Sequence, residues 1–323
     1  MTQRQGLIWI CFVCFFLIIT GNPIEAQDFP TDTIKIICGY APGGSADVQI
    51  RLLAPFLQKH LRKSVMVENL TGANAMLATN KVFTSPPDGY TLLVASIPVL
   101  ILQEKYLPET ARYQTRALTH ICSFVRDDFV LATHPEVWRN FTEFSKAAQG
   151  KRLRVGIAGK GTPSHLYALM IEQMTNVKFN IIPFEGGGPA MTSLAGKHVD
   201  GISTVLSSSY HLLKSGTLNP ILILSDKPHP AIPQTPTPQD LGFKSFEPIF
   251  YITGIFGPPK LPANRINILG EAVSKAIKEP EFLEKAKAMI LEVYPLDSKD
   301  FLSNTEKQYS QVEQYIDLLK GRN

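Results

Sequence analysis

Of the four cysteines in the 323-residue chain, two (Cys38 and Cys122) lie beyond the N-terminal apolar stretch. Two are too few for a disulfide framework; they allow either two buried thiols or one bridge. The seven histidines include no His-Glu-x-x-His, and there is no Cys-x-x-Cys, so the usual zinc spacings are excluded and no metal or cofactor is expected. Charge of one sign is scarce as well. Lys and Arg number 32 against 28 Asp and Glu, a net +4 spread thinly, without the basic stripe of a nucleic-acid binder. The 24 Pro and 22 Gly are dispersed, which excludes collagen and low-complexity chains. A 44% hydrophobic content excludes intrinsic disorder, and the length allows two ordinary domains or one large one. No internal repeat is visible.

The one long apolar run is at the start. Leu7 to Ile19 follows Arg4 and is broken by Thr20-Gly21-Asn22-Pro23, with Ala26 at a cleavage position. The run is short for a membrane span, which takes about 20 residues. Residues 1–26 therefore read as a secretory signal peptide, with an uncleaved anchor as the alternative. No later run reaches 18 apolar residues, so an exported, soluble mature protein is expected.

The rest alternates strand and helix patterns, which predicts an α/β fold with mostly parallel sheet. Short apolar runs at 34–38, 65–68, 91–95, 120–125, 129–133, 152–158, 180–183, 201–205, 220–224 and 253–256 read as strands. Val48, Leu52, Leu53, Phe56, Leu57 and Leu61 recur at helical steps, with Pro55 expected to bend or split that helix. Further helices are predicted at 74–83, 141–148, 163–175, 189–195 and, near the C-terminus, around 266–277, 282–289 and 299–319. The stretch 97–116 carries no clear period. Five prolines between Pro228 and Pro238 predict an extended surface loop.

Three times a strand runs into a Gly-rich loop and then a helix start: Pro42-Gly43-Gly44-Ser45, Gly159-Lys160-Gly161-Thr162 and Gly186-Gly187-Gly188-Pro189. Helix N-termini present unpaired N–H groups and partial positive charge, and glycines let a ligand approach the backbone. Such termini bind carboxylate or phosphate without a Lys or Arg. Any one of them is also an ordinary turn, and Thr162 before Pro163 is a good N-cap and first helical residue in its own right.

Enzyme motifs mostly fail. The 159–162 loop lacks the glycine spacing of a phosphate loop, and Gly43-Gly44-Ser45-Ala46-Asp47 has Asp where a nucleophile elbow requires Gly. Ser45, His165 and Asp47 can be drawn as a triad, which keeps an exported serine hydrolase using Ser45 as an alternative. Asp47 otherwise reads as a first-turn residue that complements the helix dipole or orients the loop.

Ala41-Pro42-Gly43-Gly44-Ser45-Ala46-Asp47, followed by Arg51-Leu52-Leu53-Ala54, resembles the first signature of the Bug family, the substrate-binding proteins of tripartite tricarboxylate transporters. The resemblance continues in order through Val67-Glu68-Asn69, Pro87-Asp88-Gly89-Tyr90-Thr91-Leu92-Leu93, Gly159 to Leu166, Pro183 to Ala190, Val199-Asp200 and Gly257-Pro258, over essentially all of the mature chain. It implies a type II periplasmic binding protein fold. Two α/β lobes, about 28–130 with 255–323 and 131–254, would be joined by two crossover strands at Phe129–Thr133 and Thr253–Phe256.

The resemblance further implies a periplasmic solute-binding protein, not an enzyme, that holds a small mono- or dicarboxylate through loop amides and hydroxyls. It would deliver that ligand to membrane permease subunits as a monomer, with no nucleic-acid partner; a ligand-sensing module for a membrane kinase is the other reading. Tyr40, Gly43, Gly44, Ser45 and Asp47 would form one wall. Ala158, Gly159, Gly161, Thr162 and His165 would form the other, with Gly186 and Gly187 nearby. Three positions depart from the family's habit. Ser96-Ile97-Pro98 replaces a polar Gly-containing loop, Thr204 stands where Asp is frequent, and Glu185 stands where Lys or Gln is common. They alter the groups facing the ligand's distal end.

Overall fold

Strands and helices alternate along almost the whole chain, and the strands sort into two sheets. The computed structural model describes residues 29–321; the expected signal peptide lies outside them. The first half-sheet is laid down by β1 (Ile34–Cys38), β2 (Val65–Asn69), β3 (Thr91–Ser96) and β4 (Thr119–Asp127), with helices α1 (Ser45–Leu61), α2 (Met76–Phe83) and α3 (Ile97–Tyr106) between them. The chain then builds β5 (Phe129–Thr133), α4 (Phe141–Gly150), β6 (Arg154–Ile157), α5 (Pro163–Thr175), β7 (Asn180–Pro183), α6 (Gly187–Ala195), β8 (Gly201–Val205), α7 (Leu206–Lys214) and β9 (Asn219–Ile223). It returns as β10 (Tyr251–Gly257), α8 (Ala263–Ala276), α9 (Pro280–Ala288), β11 (Glu292–Val293) and α10 (Ser298–Lys320).

One sheet has the order β11-β4-β10-β3-β1-β2, the other β7-β6-β8-β5-β9. In the first, β1 runs parallel to β2 and β3, while β10 is antiparallel to β3 and β4. In the second, β6 is parallel to β7 and β8, and β5 is antiparallel to β8 and β9. The chain thus passes between sheets twice: between Asp127 and Phe129, and in the long segment between Ile223 and Tyr251. Parallel pairs put the carboxyl ends of β1 and β3 along one edge, and those of β6, β7 and β8 along one edge of the other sheet, where α/β proteins bind ligands.

Local departures from the sequence reading have simple causes. Pro55 does not split α1, which runs unbroken through it; Pro55 and Arg51, whose carbonyl it leaves without its helical partner, both lie on the exposed face of the helix. The segment 97–106 is helical although it shows no period, because Ile97 to Gln103 are all buried and the helix is covered on every side. Helices α4 and α10 start on side-chain caps, Asn140 accepting from Glu143 N and Asp297 from Asp300 N, each at 2.9 Å. Cys38 and Cys122 are buried free thiols. Burial pushes Cys122 up to about 12, so it is an inert packing residue at neutral pH. Among the described residues no helix is long and apolar enough to cross a membrane.

The first sheet contains a buried histidine with a measurable consequence. His120 lies on β4, its Nδ1 2.9 Å from the Leu118 carbonyl and its ring edge-on to Phe256 and Phe301 at 5.0 and 5.3 Å. Its Nε2 is buried without a partner among the described residues. Burial lowers its pKa to about 4, against the Leu118 hydrogen bond, which acts the other way. The folded state therefore binds this proton less readily than the unfolded chain. Its contribution to stability is complete above about pH 6.5 and is lost as pH falls toward 4, by roughly 3 kcal/mol in all. His120→Leu should remove that loss. Denaturant unfolding of both proteins between pH 7 and about 4 tests it; a stability difference that stays constant with pH would refute it.

Candidate functional site

The loop after β1 is tied down by one carboxylate. Asp47, in the first turn of α1 and 2% exposed, accepts from Gly43 N at 2.9 Å, Asn69 Nδ2 at 2.7 Å and Arg51 Nε at 2.9 Å. Arg51 Nη2 also donates to Asn69 Oδ1 at 2.7 Å, and Asn69 Nδ2 to the Tyr40 carbonyl at 2.8 Å. Burial alone would raise the Asp47 pKa. The hydrogen bonds from Asn69 and Gly43, with the charge of Arg51, outweigh burial and hold the carboxyl below its ordinary value. Asp47 thus fixes the loop from behind while Gly44, at the N-cap of α1, provides no side-chain cap.

Ser96 ends β3 beside this loop. Its Oγ lies 2.8 Å from Thr253 Oγ1 on β10, and it is also hydrogen-bonded to the Tyr251 hydroxyl. Burial pushes Tyr251 up to about 12 despite that bond, and raises Tyr40 as well. Both phenols are neutral donors at physiological pH. Tyr40, Gly43, Gly44, Ser45, Asp47 and Ser96 are thereby gathered at the carboxyl edge of the first sheet.

The second sheet gathers the others. Ala158 N donates to Ser164 Oγ at 2.8 Å, and Gly161 N to His165 Nδ1 at 3.3 Å. Thr162 stands at the N-cap of α5 with Pro163 next, but its hydroxyl donates back to the Gly159 carbonyl at 2.7 Å and does not cap the helix. Gly186 precedes α6, again without a side-chain cap. Thr204, buried near the end of β8, pairs with Val130 across the ladder. Ala158, Gly159, Gly161, Thr162, His165, Gly186, Gly187 and Thr204 therefore share the carboxyl edge of this sheet. Among the described residues the starts of α1, α5 and α6 have no side-chain cap hydrogen bond. At α5 Pro163 has no N–H and His165 N reaches the Thr162 carbonyl at 3.0 Å, so there Ser164 N, and at α1 and α6 the first amides, are the donors an anion could use.

One contact joins the two groups. Gly161 has φ of +70°, and a Cβ there would stand 2.7 Å from Cε1 and 2.9 Å from Cγ of Tyr106, the last residue of α3. The ring of Tyr106 occupies the space a side chain at 161 would need, so both the backbone conformation and the close approach require glycine. Tyr106, Tyr251 and Thr253 are not among the residues singled out in the sequence. Tyr106 lies in the unpatterned stretch, and β10 begins two residues before its apolar run suggests.

A triad is not assembled. Ser45 Oγ accepts from Gln49 Nε2 at 3.1 Å, the Asp47 carboxylate serves Gly43, Asn69 and Arg51, and His165 Nδ1 accepts from Gly161 N. Nothing here prepares Ser45 for proton loss. Among the described residues no group of His, Cys, Asp or Glu is arranged to hold a metal.

The profile of the tripartite tricarboxylate transporter family receptor matches residues 49–320. The chain is 28% identical over 299 residues to the protein BugT of Bordetella pertussis, covering 90% of this chain and 91% of that one. In structure it is similar to MatC of Rhodopseudomonas palustris with bound malate, with a TM-score of 0.79 at 23% identity over 89% of this chain and all of that one. It is also similar to an R. palustris protein with adipate, TM-score 0.81 at 21% identity, covering 91% and 99%. At such identities the two structures establish the shared two-lobed binding-protein fold.

Proposed function

The chain belongs to the tripartite tricarboxylate transporter receptor family, a family of solute-binding proteins and not enzymes, and from that premise we propose that it captures a small mono- or dicarboxylate in the periplasm and hands it to membrane permease subunits. The observation that carries the reading is the set of three uncapped helix starts, α1 on one sheet and α5 and α6 on the other, opening along carboxyl edges. An anion there would be held by oriented amides and neutral hydroxyls, with Tyr40, Gly43, Gly44, Ser45 and Ser96 on one side. Ala158, Gly159, Gly161, Thr162, His165, Gly186, Gly187 and Thr204 would serve the other, and Asp47 would act through the loop it fixes.

On this reading the lobes are 28–130 with 255–323, and 131–254; β5 pairs wholly within the second sheet and β10 wholly within the first, so the chain changes sheet just before each of these strands. A ligand bound to one lobe gains contacts to the other only when they close, so its affinity difference shifts the population to the closed form. The Tyr106–Gly161 contact supports closure at that edge. The malate and adipate bound by the two similar proteins support the ligand class. Titration calorimetry of protein freed of bound solute by unfolding and refolding, against malate, adipate and other carboxylates, should give binding. Binding of a neutral sugar with none of the acids would overturn the assignment.

A further inference from the structure

The passage from the first sheet to the second is made by three charged residues in a row, Arg126-Asp127-Asp128, all buried at 4%, 4% and 6% exposure. Asp127 is tied to the second sheet. Asp127 Oδ1 accepts from Ser207 N at 3.3 Å and its Oδ2 from the Ser207 hydroxyl. Ser207 is in the first turn of α7, whose own N-cap, Val205, has no side chain to cap it. A carboxylate at the end of a first-sheet strand is thus the cap of a second-sheet helix.

Arg126 Nη2 reaches Glu292 of β11 at 2.9 Å and Asp226, just after β9, at 3.4 Å, and Lys227 Nζ is 3.0 Å from Glu292. Glu292 lies opposite Arg126 within the first sheet, so the ties to the segment that begins the return are Arg126–Asp226 and Lys227–Glu292. Arg126 Nε and Asp128 Oδ1 are complementary but 3.9 Å apart, and both are buried without a hydrogen bond.

We propose that Asp127 and Asp128 form a proton-operated hinge, in which protonation favours the buried, closed crossover and ionisation favours its opening. The proposal concerns the regulation of lobe closure and so rests on the two-lobed receptor reading above. Its physical basis is that the crossover holds two adjacent carboxyls and one guanidinium out of water. Ser207, Tyr167 of α5 and Tyr251 of β10 are the polar and titratable groups around Asp127. Asp128 faces Arg126, Glu292, Asp226 and Ser225. On its open side Asp128 lines a cavity of about 910 Å³, whose other titratable walls are Lys214, Lys227, His229, Glu284, Lys287 and Glu292.

That cavity lies between α7 with the Pro-rich loop and α9 with β11, which gives Asp128 a route to solvent when the two sides part. Burial raises Asp127 to about 7 and Asp128 to about 6, the first also opposed by hydrogen bonds from Ser207 and the second by the Arg126 charge. Exposure in an opened crossover returns both toward about 3.9. The closed form therefore binds protons more tightly, and raising the pH drives opening.

Amide hydrogen exchange of the ligand-free full-length mature chain tests this, comparing about pH 5.5 with about pH 8 after correction for intrinsic rates. Segments 126–129, 205–208 and 223–227 should open at least about tenfold more at the higher pH, and a doubly substituted Asp127→Asn, Asp128→Asn protein should lose that dependence. Equal protection of these segments at both pH values in the wild type, or an unchanged dependence in the variant, would overturn the hinge. Should the variant fail to fold, carboxyl-carbon NMR titration of the wild type decides: midpoints near 7 and 6 for the two groups support it, and both below about 5 refute it. Because no ligand is added, failure of the carboxylate screen leaves this result intact, and the converse also holds.

Discussion

Replacing Asp47 with alanine is expected to lower stability by about 3 kcal/mol and to free the loop after β1. Three donors converge on that carboxylate, and the substitution removes the acceptor from all of them: Gly43 N, Asn69 Nδ2, which keeps its bond to the Tyr40 carbonyl, and Arg51 Nε. Breaking a fully buried charge pair costs about 3–5 kcal/mol, but the Arg51 side chain is 49% exposed and can turn to water, which takes the estimate to the lower end of that range. Asp47→Asn should cost less. It keeps an acceptor for one donor while presenting its own N–H₂ toward another. The carboxyl is held below its ordinary pKa, so its contribution is present above about pH 4 and is lost as pH falls through the folded value. Denaturant unfolding measures the stability, and exchange at the Gly43 amide reports the loop. A normal midpoint with unchanged Gly43 protection in the alanine variant would mean that the loop is held by something else. On the proposed function, the same variant should also weaken carboxylate binding, because the amides of the first helix start would no longer be held in place.

How much of this was open to reading depends on what the surroundings do to each segment. Helix α5 is legible to its ends: Thr162-Pro163 marks the start, and apolar residues follow at helical steps. Helix α3 is not, because burial on all sides erases the polar face that makes a period visible. The Gly-rich loops are legible as turns at the ends of strands, and chain order suffices to put them near helix starts. What orients them is less so. Asp47 reads as a residue complementing a helix dipole, but Asn69, 22 positions away, can be tied to it only through the β1–β2 pairing. Tyr106 is in the same position, since its significance comes from its close approach to the backbone of Gly161, 55 positions on. Thr162 illustrates the opposite error: residue type and the following proline both favour a cap, yet its hydroxyl closes the loop on Gly159 instead. Partners distant in sequence are set by topology, and local pattern does not carry them.

Gly254→Ala should be the most damaging single-methyl change in the first sheet, at about 3 kcal/mol or more. Gly254 lies in the middle of β10, between Ala95 of β3 and Ser123 of β4, at a register shift in the β4 ladder. A Cβ there would stand 2.5 Å from the Cys122 carbonyl oxygen and 2.6 Å from Cε1 of Phe301, the ring from α10 that fills the notch. Phe301 is fully buried and packs on Phe256 at 4.8 Å, so its ring cannot swing away without disturbing the core beneath α10. The carbonyl is the harder obstacle, because it belongs to the backbone of the neighbouring strand and moves only if β4 moves. Phe301→Leu should consequently recover part of the loss and never all of it, leaving a residual that belongs to the carbonyl. A double-mutant cycle by denaturant unfolding separates the two contributions. An alanine variant within about 1 kcal/mol of wild type would show that the β4–β10 ladder yields more easily than its packing implies. The consequence reaches the candidate site as well. Tyr251 and Thr253 sit on the same strand, one to three residues before Gly254, and a shift that accommodates the methyl group would carry their hydroxyls away from Ser96.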